Sequence, residues 1–169
     1  EFLIWNRHLI LGLELQQYVT VAERGIKSIE LHPSQPTLYL FTGFALYILQ
    51  KEERAIMVLN KGLNYVVNNR LLKAEFYSYL GDAYNSIEEH EMSDQSYENS
   101  LALAPENSVV LNNYSYYLSL RSKDLEKAEI LSKKCLEFSP EEATYQDTYG
   151  WILFKLGRYE ESETWIHKA

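Results

Sequence analysis

Between its polar breaks the chain consists of segments about 10 to 17 residues long, with apolar side chains at three-to-four spacing. That period turns one stripe of a helix toward a core, so the segments predict α-helices and no strand. The breaks recur too. A small residue followed three positions on by leucine or tyrosine marks four of the units: Gly43 and Leu46, Gly81 and Tyr84, Ser115 and Leu118, Gly150 and Leu153. Successive anchors lie 34 to 38 residues apart. A single globular core needs no such ruler. Stacked two-helix units do, because each must bury its apolar face against the next at a constant offset.

The last unit carries Gly150, Gly157, Tyr159 and Ala169 in order, with Ser162 in between. The third carries Tyr77, Gly81, Tyr84, Ser93, Tyr97, Ser100 and Pro105, and the second Tyr39, Gly43, Leu46, Ala55, Leu59 and Gly62. The fourth has Leu111, Ser115, Leu118, Leu125, Ala128, Ser132, Cys135 and Pro140. The first is degenerate, with Trp5, Leu9, Gly12, Tyr18, Val21, Gly25, Ser28 and Pro33. This succession resembles the tetratricopeptide repeat family, in which Ser162 stands where an alanine is usual. The resemblance covers essentially the whole chain. It implies an all-α, right-handed superhelical α-solenoid of five stacked antiparallel helix pairs. As a single solenoid domain over 1–169, the units run approximately 2–35, 36–69, 74–107, 108–142 and 143–169.

The residue types fit that architecture physically. A small residue at Gly81 lets the first helix of a unit approach the second closely, and Ala55 and Ala128 do so from the other side. Gly157 supplies a left-handed residue at the chain reversal. Pro33, Pro105 and Pro140 stop second helices and pre-set the next turn. Two lapses stand out. Unit two ends in Val66-Val67 without a proline and is followed by four extra residues, Asn69 to Leu72, which makes an irregular joint there expected. One residue is inserted in the Arg121–Asp124 turn.

At 169 residues, 46% apolar and 14% aromatic, the chain has the means for a packed core. No apolar run approaches the roughly 18 to 20 residues that span a bilayer, so direct membrane insertion is not expected. The net charge of −8 falls in residues 86–169, which hold 16 acidic and 8 basic side chains against 8 of each in 1–85. An acidic half repels phosphate backbones, which argues against a nucleic-acid partner. Cys135 has no second cysteine to pair with. The chain opens at Glu1 and closes at Ala169 inside a helical pattern, so it is expected to be part of a longer protein. Its wording also looks like that of bacterial family members, many of them exported, which tilts the expected compartment to the cell envelope.

Catalytic and metal signals are missing. His8, His32, His90 and His167 lie in separate units with no partner at ligand spacing. No phosphate loop or nucleophile elbow is present. The acidic run around Glu88 lacks the internal glycine of a calcium loop. No cofactor and no enzymatic activity are expected.

In the family the first helix of each unit lines a concave groove, at positions two and three before the anchor and one and four after it. The resemblance therefore places Phe44, Tyr47, Asp82, Asn85, Asn112, Asn113, Tyr116, Asp147 and Trp151 in a partner-binding groove, with Leu40, Phe41, Ser78, Tyr79, Ser119, Thr148 and Phe154 beside them. Aromatic side chains there supply anchor area, and asparagine amides can pair with an extended backbone. The alternative for Phe44, Trp151 and the three asparagines is packing against the neighbouring helix. A clamp for a peptide's carboxylate end, known in some family members, is absent, since Ser78, Asp82, Thr144 and Thr148 stand at its basic and amide positions and only Asn113 fits. The expected function is a non-catalytic scaffold binding a partner peptide or helix. The other reading is self-association, or assembly into a larger repeat array.

Overall fold

In the computed structural model, which describes residues 2–169, the described residues form ten α-helices and no strand. They pair in chain order: α1 (Phe2–Glu14) with α2 (Tyr18–Leu31), α3 (Pro36–Ile48) with α4 (Glu52–Leu63), and α5 (Arg70–Ser86) with α6 (His90–Leu103). Then α7 (Ser108–Leu120) pairs with α8 (Leu125–Phe138), and α9 (Ala143–Lys155) with α10 (Tyr159–Lys168). The helices group into two compact units, residues 1–103 with α1 to α6 and residues 104–169 with α7 to α10. Within the first, each second helix also packs on the next first helix, α2 on α3 and α4 on α5. Within the second, α8 does the same with α9.

The anchors perform the close approach that their size predicts. A methyl built on Gly43 would stand 2.5 Å from Leu59, one on Gly81 2.7 Å from the Tyr97 ring, and one on Gly150 2.8 Å from Ile166. Serine at the second small position has its own reason. Ser93 Oγ donates to the Gly81 carbonyl at 2.8 Å, and Ser162 Oγ to the Gly150 carbonyl at 2.8 Å. In each case the residue that departs from alanine ties its helix to the anchor of the partner helix, at a distance expected of a good hydrogen bond.

Every helix pair turns by one device. The residues Gln16, Gln50, Glu88, Ser122 and Gly157 all take positive φ, between 51° and 79°. After each, the next amide reaches back five residues: Gln17 to the Gly12 carbonyl, Lys51 to Leu46, Glu89 to Tyr84, Lys123 to Leu118 and Arg158 to Leu153, at 2.8 to 3.0 Å. These are Schellman C-caps, which satisfy carbonyls that the helix end would otherwise leave unpaired. Only one of the five carries glycine. The inserted residue in the fourth turn is absorbed by a second left-handed residue, Asp124 at φ 46°. Counting back seven residues from the left-handed position gives Gly43, Gly81, Ser115 and Gly150, but Leu9 in the first pair, so Gly12 holds the place of Leu46 rather than of an anchor.

The joint after unit two is irregular: residues 64–69 link α4 to α5, where four residues link the other successive pairs, and Asn68 there takes φ 53°. α5 has 17 residues where α3, α7 and α9 have 13, so it is also longer by about one helical turn. Asn69 caps it, its Oδ1 accepting from the Leu72 amide at 3.0 Å. The chain stops its second helices without help from glycine: α2, α6 and α8 end two residues before Pro33, Pro105 and Pro140. The carbonyls of two of these prolines are taken up by the following helix, from Tyr39 Oη at 2.7 Å to Pro33 and from Gln146 Nε2 at 2.6 Å to Pro140.

Candidate functional site

In residues 1–103 the groove positions of α3 and α5 meet through aromatic rings. Phe44 lies between Tyr18 of α2, edge-on at 6.3 Å, and Tyr79 of α5, tilted at 5.0 Å. Such spacings are those of attractive ring pairs. Tyr47 and Asn85 are half-buried, while Leu40 and Ser78 lie inside. Asp82 is only 7% exposed, and its Oδ1 accepts a 2.5 Å hydrogen bond from Tyr97 Oη. Burial raises the Tyr79 hydroxyl above its usual range, and the carboxylates of Glu75 and Asp82 raise it further. Glu75 was not among the positions read from the sequence, though it stands one turn before Tyr79 on the same helix face.

In residues 104–169 the candidates divide. Tyr116 is 39% exposed and Asp147 is exposed, while Asn113 and Trp151 are half-buried. Asn112 is 7% exposed, and its Oδ1 is buried without a donor. Ser119 and Thr148 are buried, the Ser119 hydroxyl donating to the Tyr116 carbonyl at 2.6 Å. Trp151 stacks on Phe154 with rings 5.7 Å apart and 19° from parallel. The Lys155 ammonium sits 5.6 Å from the Trp151 ring centre, within cation–π reach. Phe154 itself is 48% exposed.

Two of the nine groove residues, Asp82 and Asn112, are therefore inside rather than on show. The other seven keep surface. The structure joins Phe44 to Tyr79 and Trp151 to Phe154.

Elsewhere the chemistry is structural. Cys135 is buried, its thiol donating to the Ser108 carbonyl at 3.2 Å, and burial pushes its pKa up to about 11. Arg158 clamps the last turn through Glu129 and Glu161, at 2.6 Å each. Among the described residues no group of three His, Cys, Asp or Glu side chains could hold a metal ion, and no helix is long and apolar enough to cross a membrane.

Comparison with known proteins shows what the fold is similar to. Residues 74–107, the third helix pair, match the tetratricopeptide repeat model. A TPR repeat-containing protein of Pseudomonas aeruginosa, PA4667, is 26% identical over 133 residues, which cover 78% of this chain and 22% of that one. The chain thus spans about a fifth of the length of that curated relative. Among solved structures, MamA from Desulfovibrio magneticus RS-1 superposes with a TM-score of 0.80 at 18% identity, covering 99% of this chain and 92% of that one. YrrB, described as a TPR protein with an unusual peptide-binding site, gives 0.74 at 15% identity, covering 99% and 84%. At such identities the likeness is one of fold. The helix pairs, their recurrent small anchors and the one matched repeat together make this chain similar to tetratricopeptide repeat proteins in fold.

Proposed function

We propose that the chain is a non-catalytic interaction scaffold that binds a peptide or helix of a partner protein on the first helices of its pairs. One observation carries the reading. Phe44, Tyr47, Tyr116, Trp151 and Phe154 keep aromatic surface although the opposite faces of their helices are fully packed by residues such as Leu46, Leu111 and Leu153. Large rings left at the surface on the first helices of each compact unit are the usual anchors of recognition. YrrB, of similar fold, is described for peptide binding. Tyr116→Ala is expected to weaken partner capture from a lysate of the native organism at least several-fold, with helical content and melting unchanged. A Tyr116→Ala protein that unfolds would place that ring in the core and remove it from the groove.

A second reading, association with another copy or with further repeats, is favoured by α1. The left-handed residues at 16 and 50 set a register of 34 residues, in which Ile4, His8 and Leu11 correspond to Leu38, Thr42 and Ala45 of α3. Those three are wholly buried, with Thr42 against Gly25 of α2, whereas Ile4 and Leu11 are exposed. Light scattering across a concentration series tests it, with association expected for the native chain and lost in Leu11→Asp. A monomer at every concentration rules out the copy.

A further inference from the structure

The partner chemistry can be narrowed, on the reading that the first helices form the binding face. The eight groove positions of α3 and α5, from Leu40 to Asn85, contain no lysine or arginine. They do contain the Phe44–Tyr79 ring pair at 5.0 Å. On α5 the residues Glu75, Tyr79 and Asp82 follow one another at i, i+4 and i+7, so the ring is flanked along one face by a carboxylate on either side. The two carboxylates differ in availability. Asp82 is held from beneath by Tyr97. Glu75 is exposed and makes no ion pair among the described residues, yet partial desolvation raises its carboxyl above the usual range. A carboxylate losing water beside a ring, with no cation paired to it among the described residues, is half of a recognition pair.

We infer that the α3–α5 face takes a lysine or arginine side chain of an extended partner segment, its cationic head over the Phe44–Tyr79 pair and against the Glu75 carboxylate. The chain uses the same chemistry internally, with Lys127 at 4.9 Å from the Tyr114 ring and Lys155 at 5.6 Å from that of Trp151. Ring and carboxylate reinforce each other, because the first favours a poorly hydrated cation and the second neutralises it. A glutamate at the same place would meet like charge from both sides.

The test uses the full chain and three labelled peptides of one sequence that differ only in carrying arginine, glutamine or glutamate at alternate positions. Fluorescence anisotropy is expected to rank them arginine, glutamine, glutamate, with about ten-fold between the first two at low salt and less at high salt. Glu75→Gln is expected to lower affinity for the arginine peptide about five-fold and leave the glutamine peptide unchanged. Tyr79→Leu, which keeps apolar area, lowers only the arginine peptide as well. Resonance shifts on adding the arginine peptide are expected at Phe44, Glu75 and Tyr79. Equal affinity for the arginine and glutamine peptides, with shifts still at those residues, overturns the cationic preference and leaves the groove reading standing. Shifts confined to other faces, or no binding by any peptide, overturn both.

Discussion

Replacing Tyr97 with alanine is expected to remove about 4 kcal/mol from the stability of residues 1–103, the middle of the range for truncating a fully buried aromatic. The ring is completely covered and packs on the bare Cα of Gly81. Its removal opens a cavity at the closest approach of α5 and α6, where no side chain on α5 can fill the gap. Tyr97→Phe separates packing from polarity. That change keeps the ring but deprives the Asp82 carboxylate, 7% exposed, of its 2.5 Å donor. A hydrogen bond to a charged group contributes about 1.5 to 3 kcal/mol, so phenylalanine is expected to cost about 2. Urea denaturation of the three proteins checks both figures. Should Tyr97→Phe prove as stable as the native chain, Asp82 takes no support from Tyr97 and is available for a partner after all.

Glycine placed at Gln16, Gln50, Glu88 and Ser122 together is expected to stabilise the chain by about 2 to 4 kcal/mol. Each of these residues is held at φ between 51° and 62°, where a Cβ meets the following carbonyl. That conformation costs an ordinary residue about 1 to 2 kcal/mol, against roughly 0.5 to 1 for the extra freedom glycine has when unfolded. The net gain is about 0.5 to 1 per site. The sites lie in separate turns at least one repeat apart, so their effects should add. For a chain of this size the melting point should rise by about 5 to 15 °C. Gly157→Ala supplies the opposite sign. Nothing lies within 4 Å of a methyl built there, so its cost of about 1 kcal/mol is conformational alone. A quadruple variant melting no higher than the native protein would show that the Schellman caps are not strained.

Much of the fold was legible because its causes are local. Gly43, Gly81 and Gly150 announce close helix approach by lacking a side chain, and Pro33, Pro105 and Pro140 announce helix ends by lacking an amide. The four residues after unit two were legible in part. Asn68, Asn69 and the absence of proline read as a break, and the joint does hold Asn68 at φ 53°, but α5 is also longer by about one helical turn, which the sequence did not announce. The candidate site was legible as a face and not as a surface. Counting from the anchor finds Asp82 and Asn112 on the same stripe as Phe44 and Tyr116. It cannot tell that a tyrosine from α6 reaches Asp82, and it passed over Glu75, whose interest comes from the ring one turn away.

The amino-acid sequence by itself determined that this protein is a set of antiparallel helix pairs at a 34- to 38-residue period, because helix periodicity, small anchors and chain breaks are properties of short segments. Tertiary structure decided which residue takes each left-handed turn and which groove residues keep their surface. Packing two amphipathic helices outweighs about 1 kcal/mol of backbone strain, so glutamine, glutamate and serine are driven into a conformation that their own preferences oppose. The fate of a polar side chain on the first helices depends likewise on what the facing helix brings to it. Asp82 meets Tyr97 and turns inward, and Glu75 makes no ion pair among the described residues and stays outside.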